Sequence, residues 1–286
     1  MIRRLGIFVI WDHPEAGRVA KELIEWAKEH DLVPVFLEEL KDRYGIEGGV
    51  SPQTLMEKAE MAVVLGGDGT FLAAARFFGR RPIPLLGVNL GHLGFLTEVS
   101  LEEMYEVLKI GLEGGLDVRE RMMIDGAYRP RDGAPADFSV LNEIVISKTD
   151  EARIIELEVW VNGLLMTKVR GDGLLVATPS GTTAYNLSAG GPIVFPELDT
   201  MILTPICPHS LTFRPVVLPG DARIVVVNLS KTERALMISA DGRGIGNFEP
   251  EGKLTIQRSP RRVLKMISPK RGYFNVLRDK LGWGLG

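Results

Sequence analysis

The first third of the chain switches between two hydrophobic periods. Leu5–Ile10 (LGIFVI) is a continuous apolar run of strand length, and Pro14–His30 after it carries Val19, Leu23, Trp26 and Ala27 at helical spacing. Asp12 followed three residues later by Glu15, with Pro14 between them, resembles a capping box and sets the expected helix start. Short apolar runs recur at Leu32–Leu37 (LVPVFL), Met61–Leu65 (MAVVL) and Ile83–Val88 (IPLLGV). Helical spacing returns over Leu101–Leu112. Buried strands alternating with helices imply parallel pairing with both sheet faces covered, so about residues 1–116 are expected to form an α/β domain.

The pattern then changes. From about Asp117 to Ser259 the recurring unit is a β-branched run bounded by turn residues: Leu141–Ile146, Ile154–Val161, Leu164–Val169, Leu174–Ala177, Ile224–Leu229, Leu236–Ser239 and Leu254–Gln257. Asn162-Gly163 separates two of these runs at hairpin spacing. Tyr128–Ala136 (YRPRDGAPA) reads as an exposed, mobile loop. A β-rich domain over about 117–261 is the expectation, with weak helical character at Tyr273–Trp283 and the segment 262–286 completing the first domain.

The length of 286 residues fits two domains. With 34 Lys+Arg against 37 Asp+Glu the net charge is −3, which argues against a chain built to wrap nucleic acid. No apolar run approaches the ~18 residues of a membrane span, so no membrane partner is expected. Met1–Leu5 lead directly into a strand-like run, and Cys207 is the only cysteine and cannot form an internal disulfide, so a cytoplasmic protein is expected with Cys207 as a small buried residue. His13, His30, His92 and His209 show no metal-ligand spacing, and no metal ligands are assigned.

Candidate chemistry gathers in three places. Gly66-Gly67-Asp68-Gly69-Thr70 follows the run MAVVL and leads into a helix-like segment, Phe71–Phe78. Glycines at such a junction let backbone amides approach phosphate oxygens at a helix N-terminus. Asp68 would repel a bare phosphate chain, so its placement fits work on a hydroxyl or on a phosphate-bound cation; the plainer alternative is a tight turn in which Asp68 caps the helix. No G-x-x-x-x-G-K-[ST] is present, and Leu72 stands where G-x-G-x-x-G needs its third glycine. The second place runs from Arg170-Gly171-Asp172-Gly173 into Thr178–Asn186, a hydroxyl-rich loop suited to a sugar phosphate, with Tyr185 offering an aromatic edge; the alternative is an ordinary loop. Third, Asn142-Glu143 interrupts an apolar strand, where one side chain must share a side with buried neighbours or alternation must put it in water.

Taken together and in order, GGDGT, VNLGHLGFLTEV (Val88–Val99), LNE (Leu141–Glu143), RGDGLLVATPSGTTAYNLSAGGPI (Arg170–Ile193) and HSLTFRPVVLP (His209–Pro219) resemble the NAD kinase family over most of the chain. The Gly-Gly-Asp-Gly core is shared with diacylglycerol and sphingosine kinases and with phosphofructokinases; the long TPSGTTAYN segment is what discriminates. The resemblance implies an α/β N-terminal domain with a Rossmann-like parallel sheet, a β-rich NAD-binding C-terminal domain, a site in the cleft between them, and a homodimer or homotetramer. It implies transfer of a phosphoryl group from ATP, or from polyphosphate, to the adenosine 2′-hydroxyl of NAD, with a divalent metal ion, magnesium, on the donor.

Carried over by position, Asp68 is the expected general base, and Gly66, Gly67, Gly69 and Thr70 hold the donor phosphates. Asn142, Glu143 and Asp172 would hydrogen-bond the riboses and amide of the dinucleotide. Thr183, Ala184, Tyr185, Asn186, Leu187 and Ser188 would hold the adenine and its ribose, and Arg153 and Arg170 fall on basic contact positions. Arg243, in Asp241-Gly242-Arg243, departs from the Gln that several family members carry. Two other readings remain open at this point: a lipid kinase sharing the GGDGT loop, and a non-catalytic NAD or NADP sensor.

Overall fold

Two units organise the chain, one made of Met1–Glu120 with Val263–Gly286 and the other of Arg121–Arg262. The computed structural model describes residues 2–9, 13–131, 133–149, 154–230 and 236–283. No helix among them is long and apolar enough to cross a membrane.

In the first unit the apolar runs become parallel strands in the spatial order Val33–Phe36, Arg4–Val9, Met61–Leu65, Pro84–Asn89. Val99–Ser100 and the end of the strand Lys253–Met266 add further parallel pairing against Pro84–Asn89. Met61–Leu65 is buried at every position, as a strand covered on both faces must be. Helix Ala16–Glu29 lays Val19, Ala20, Leu23, Ile24 and Ala27 on the sheet. From Arg4–Val9 the chain moves out to Val33–Phe36 on one side and returns to Met61–Leu65 on the other. That reversal is a topological switch point, and ligands of open α/β sheets bind at the carboxyl ends of strands beside it.

Helix Asp68–Phe78 starts at that edge, and Tyr273–Leu281 closes the unit. The expected capping box is not what starts the first helix: Glu15 stands at the N-cap with no side-chain cap, and Asp12 lies outside the described residues.

The second unit stacks two antiparallel layers. One is a sheet in the order Val216–Pro219, Thr200–Ile206, Gly173–Ala177, Glu143–Lys148, Leu236–Ala240, Arg243–Asn247. The other contains Leu164–Gly171, Ile155–Val161, Ile224–Asn228 and Lys253 onward. Alternation sends Ile144, Ile146, Leu174 and Val176 into a core shared with Leu157, Val159, Ile224 and Val226. Val145, Leu175, Ala177 and Ile202 face the opposite way and pack with Val194, so the central strand is apolar throughout because both its faces are covered. Asn162-Gly163 forms the expected tight hairpin, with φ of 51° and 81°.

Three further expectations need correction. Cys207 is exposed, because the strand Thr200–Ile206 ends just before it and the chain turns there with φ 44°. Tyr128 is no loop residue: it ends the strand Val118–Tyr128, is buried, stacks edge-on against Phe248, and its hydroxyl accepts the Glu249 N–H at 3.0 Å. The run Leu254–Gln257 is a fragment of the 14-residue strand Lys253–Met266, whose Arg-, Ser- and Pro-containing middle hides its β character.

Candidate active site

In the first unit a cavity of 690 Å³ opens at the carboxyl ends of three strands, those ending at Val9, Leu65 and Asn89. Gly66, Gly67, Gly69 and Thr70 line one side, and His13, Asn89 and His92 are among the residues of the other. Gly66 has φ 151°, and a Cβ there would stand 2.2 Å from Thr70 Oγ1, so the turn needs glycine on two counts.

Gly67 is the N-cap of the helix and Asp68 its first residue, with no side-chain cap. The Asp68 carboxylate turns instead into the loop of residues 94–97. Its Oδ1 accepts the Leu96 and Thr97 N–H groups and the Thr97 hydroxyl, each at 3.0 Å, while Oδ2 accepts the Phe95 N–H at 2.9 Å. Thr97 Oγ1 in turn accepts from Asn89 Nδ2 at 3.0 Å. A Cβ on Gly94 would lie 1.9 Å from Asp68 Oδ1, so the loop can wrap the carboxylate only with glycine at that position.

A buried ion pair anchors this loop. Lys265 Nζ meets Glu98 Oε2 at 2.7 Å with both side chains almost fully buried, and it also donates to the Phe95 carbonyl at 3.2 Å. Glu98 Oε1 accepts the Ser268 N–H at 2.8 Å, so neither ion is left without hydrogen bonds in the interior. Asn89, Thr97, Glu98 and Lys265 carry this site and were not singled out from the sequence. The signal for the first three was the motif VNLGHLGFLTEV; Lys265, far away in the chain, gave none.

In the second unit Asn142 and Glu143 stand at the start of the strand Glu143–Lys148, and both are buried, which removes the solvated-face alternative. Asn142 Oδ1 and Glu143 Oε2 have no hydrogen-bond partner among the described residues. Burial first, and the neighbouring Asp241 charge second, push the Glu143 carboxyl up to about 8. Asp172 is half-buried and paired with Lys148 at 2.7 Å. Arg170 is exposed, and its carbonyl accepts the His209 N–H.

The hydroxyl-rich loop folds as the turn Ser180–Thr183 followed by Tyr185–Ser188. Thr183, Ala184 and Leu187 are half-buried, and Tyr185 and Ser188 are exposed. Asn186 is fully buried and holds the loop together: its Oδ1 accepts from Thr204 Oγ1 at 2.7 Å, and its Nδ2 donates to the Pro192 carbonyl at 3.1 Å. Arg153 lies outside the described residues. The predicted residues thus form two groups: 66–70 in the first unit, and Asn142, Glu143, Arg170, Asp172 and 183–188 in the second.

A glycine-lined cradle at a sheet switch point, with a carboxylate on the first turn of its helix, defines an enzyme of the phosphotransferase class. Residues 5–116 match the ATP-NAD kinase N-terminal domain, and residues 141–268 match the ATP-NAD kinase C-terminal domain. The chain is 42% identical over 283 residues to the NAD kinase of Geobacter sulfurreducens, covering 99% of both chains, and 41% identical over 284 residues to that of Geotalea daltonii, again covering 99% of each.

Among solved structures, an NAD kinase from Archaeoglobus fulgidus in complex with ATP matches with TM-score 0.77 and 27% identity over 98% of both chains. Yeast NADH kinase complexed with NADH shares the fold, with TM-score 0.92 and 22% identity over 100% of this chain and 89% of that one. The chain belongs to the NAD kinase family and is a kinase, which sets aside the lipid-kinase and sensor readings.

Proposed function

We propose that the chain transfers the terminal phosphoryl group of ATP to the adenosine 2′-hydroxyl of NAD, giving NADP and ADP, with Asp68 as the general base. The observation that carries the assignment is the asymmetry of the Asp68 carboxylate. Oδ1 is filled by three donors, whereas Oδ2 takes one and keeps a lone pair for a substrate hydroxyl. As the ribose oxygen forms its bond to the γ-phosphorus, its proton passes to Oδ2 and the bond to the ADP oxygen breaks. Such a base contributes about 10²–10⁴-fold in rate.

Gly67 and Gly69 hold the phosphates through their backbone amides and Thr70 through its hydroxyl, while Gly66, whose N–H donates to the Val88 carbonyl at 3.0 Å, shapes the turn beside them. Asn142, Glu143 and Asp172 hydrogen-bond the dinucleotide, Thr183–Ser188 hold its adenine and ribose, and Arg153 and Arg170 supply basic contacts. No cluster of three His, Cys, Asp or Glu suited to a metal gathers among the described residues. A magnesium ion carried in by the donor triphosphate would find the Asp68 carboxylate on the first turn of the cradle's helix. When bound, it neutralises charge on the transferring group. A homodimer or homotetramer in the cytoplasm completes the reading. Light scattering measures that assembly.

The test is a coupled assay with NAD, ATP and Mg²⁺, read by a dehydrogenase that accepts only NADP. Asp68→Asn is expected to lower turnover by about 10²-fold or more with little change in NAD affinity. Near-normal turnover in that variant removes Asp68 from the mechanism. NADP formed with polyphosphate but not with ATP moves the donor assignment alone.

A further inference from the structure

We infer that Asp241 is a positioning residue for dinucleotide binding: with Thr178 it closes the backbone hydrogen bonds of Leu141–Glu143, leaving the Asn142 and Glu143 side chains as the polar groups that this fixed turn presents. The inference rests on reading Asn142 and Glu143 as dinucleotide contacts.

The backbone accounting is complete. Asp241 Oδ2 accepts the Leu141 N–H at 3.0 Å, and Oδ1 accepts those of Asn142 and Glu143 at 2.9 and 3.2 Å. On the acceptor side, Thr178 Oγ1 donates to the Leu141 carbonyl at 2.5 Å, the Thr178 N–H to that of Asn142 at 2.8 Å, and the Asp241 N–H to that of Glu143 at 3.0 Å. Thr178 Oγ1 also accepts the Gly181 N–H at 3.2 Å, tying the turn to the start of the hydroxyl-rich loop. Gly181 packs so closely that a Cβ on it would stand 2.2 Å from the Asn142 carbonyl oxygen.

The choice of residue at 241 follows from this accounting. Asp241 and Gly242 form the hairpin tip between Leu236–Ala240 and Arg243–Asn247, with φ of 46° and 74°. Glycine is the easier residue for a left-handed conformation, but it has no acceptor for three amides; aspartate tolerates the conformation and supplies both oxygens. The turn's backbone has no remaining hydrogen-bond demand. Its buried Asn142 Oδ1 and Glu143 Oε2 still lack a partner, and a ligand bearing hydroxyl or amide donors satisfies that pair.

The experiment compares Asp241→Asn, Thr178→Val, Thr178→Ser and Glu143→Ala in steady-state kinetics, varying NAD and ATP separately, with NAD affinity measured by calorimetry across pH. Asp241→Asn replaces one acceptor oxygen by an amide that faces the Leu141 N–H. It is expected to raise the NAD KM about tenfold or more while leaving the ATP KM within about twofold.

Removing the Asp241 charge, which is the charge that acts on Glu143, should also move the midpoint of the NAD-binding pH profile downward. A purely structural role would raise the NAD and ATP KM values together. Thr178→Val is expected to reproduce the NAD-selective defect and Thr178→Ser to restore it, which decides the matter should Asp241→Asn fail to fold. An unchanged NAD KM in folded Asp241→Asn, or in Thr178→Val where only that variant folds, overturns the inference. If Glu143→Ala itself leaves NAD affinity unchanged, what fails is the reading of the turn as a dinucleotide contact.

Discussion

Two carboxylates, one in each unit, are built in opposite ways. Asp68 accepts four hydrogen bonds, three from backbone amides and one from Thr97, in a loop fixed by a buried ion pair. Glu143 is buried deeper, its Oε2 accepts nothing, and its carboxyl is pushed up to about 8 by burial and by Asp241. At Asp241 the scaffold places the amide donors on a second acid, and Glu143 is left to the ligand. Environment, more than residue type, divides the work between the two acids. One is a carboxylate held in place by its donors, with a lone pair on Oδ2 left for a substrate hydroxyl. The other keeps its own proton at neutral pH and can present a hydroxyl donor as well as an acceptor to a sugar.

The largest expected effect comes from breaking what holds the first of these. Lys265→Met leaves Glu98 charged in the interior with only the Ser268 N–H beside it. Removing one partner of a buried pair costs about 3–5 kcal/mol, so urea unfolding should show a loss of that size. Turnover should also fall as the Phe95–Thr97 amides lose their anchor, while NAD affinity holds. The double variant Glu98→Leu/Lys265→Met should recover most of the stability. Wild-type stability in Lys265→Met would mean that the pair is ornament and that the two carboxylates differ less in their support than the hydrogen bonds imply.

The second carboxylate is sharpened by pH. Folded, Glu143 holds its proton up to about 8; unfolded, it releases it near 4.5. Between those values the folded state carries the extra proton, so this group's contribution to stability falls as pH rises from about 4.5 to about 8 and is flat outside that window. Glu143→Gln cannot titrate. Its stability should match the parent's near pH 4, and it should exceed the parent's by roughly 2–4 kcal/mol at pH 8.5. Parallel stability curves for the two proteins across that window would show that Glu143 is ionised in the folded state and would remove the contrast with Asp68.

How far the sequence discloses these features follows from the range of the interactions. The GGDGT turn and the Asn162-Gly163 hairpin are legible because their chemistry is local: glycines where the backbone needs them, next to apolar runs. Asp68 is legible as a candidate, but its partners lie 27 to 29 residues on, and the Lys265 beneath them is 167 residues from Glu98; no period or spacing encodes such contacts. Asn142-Glu143 reads as an interruption in a strand. Its backbone is held by the hairpin tip at Asp241, about a hundred residues later in the chain, which reads on its own as an ordinary Asp-Gly turn. The strand Lys253–Met266 is hidden by its own polar middle, and Cys207 by the statistical habit of free cysteines to be buried.

The smallest effect tests whether Asp172 belongs with Asp68 as a held acceptor or with Glu143 as a group reserved for ligand. Its carboxylate pairs with Lys148 at 2.7 Å, with both side chains more than a third exposed. The local backbone is fixed independently: Asp172 N–H donates to the Ile206 carbonyl at 3.0 Å, and its own carbonyl accepts the Lys148 N–H at 2.9 Å. Lys148→Met should therefore leave the turn in place and change stability by less than about 1 kcal/mol, the usual range for a solvated pair. It also leaves an uncompensated negative charge near a dinucleotide that carries two phosphates. We expect the NAD KM to rise about two- to fivefold at low salt, the ATP KM to stay level, and the difference to shrink as ionic strength screens the added charge. An unchanged NAD KM at every salt concentration, in a variant of normal stability, would place Asp172 outside the dinucleotide site and leave Asn142 and Glu143 as the polar contacts of the second unit.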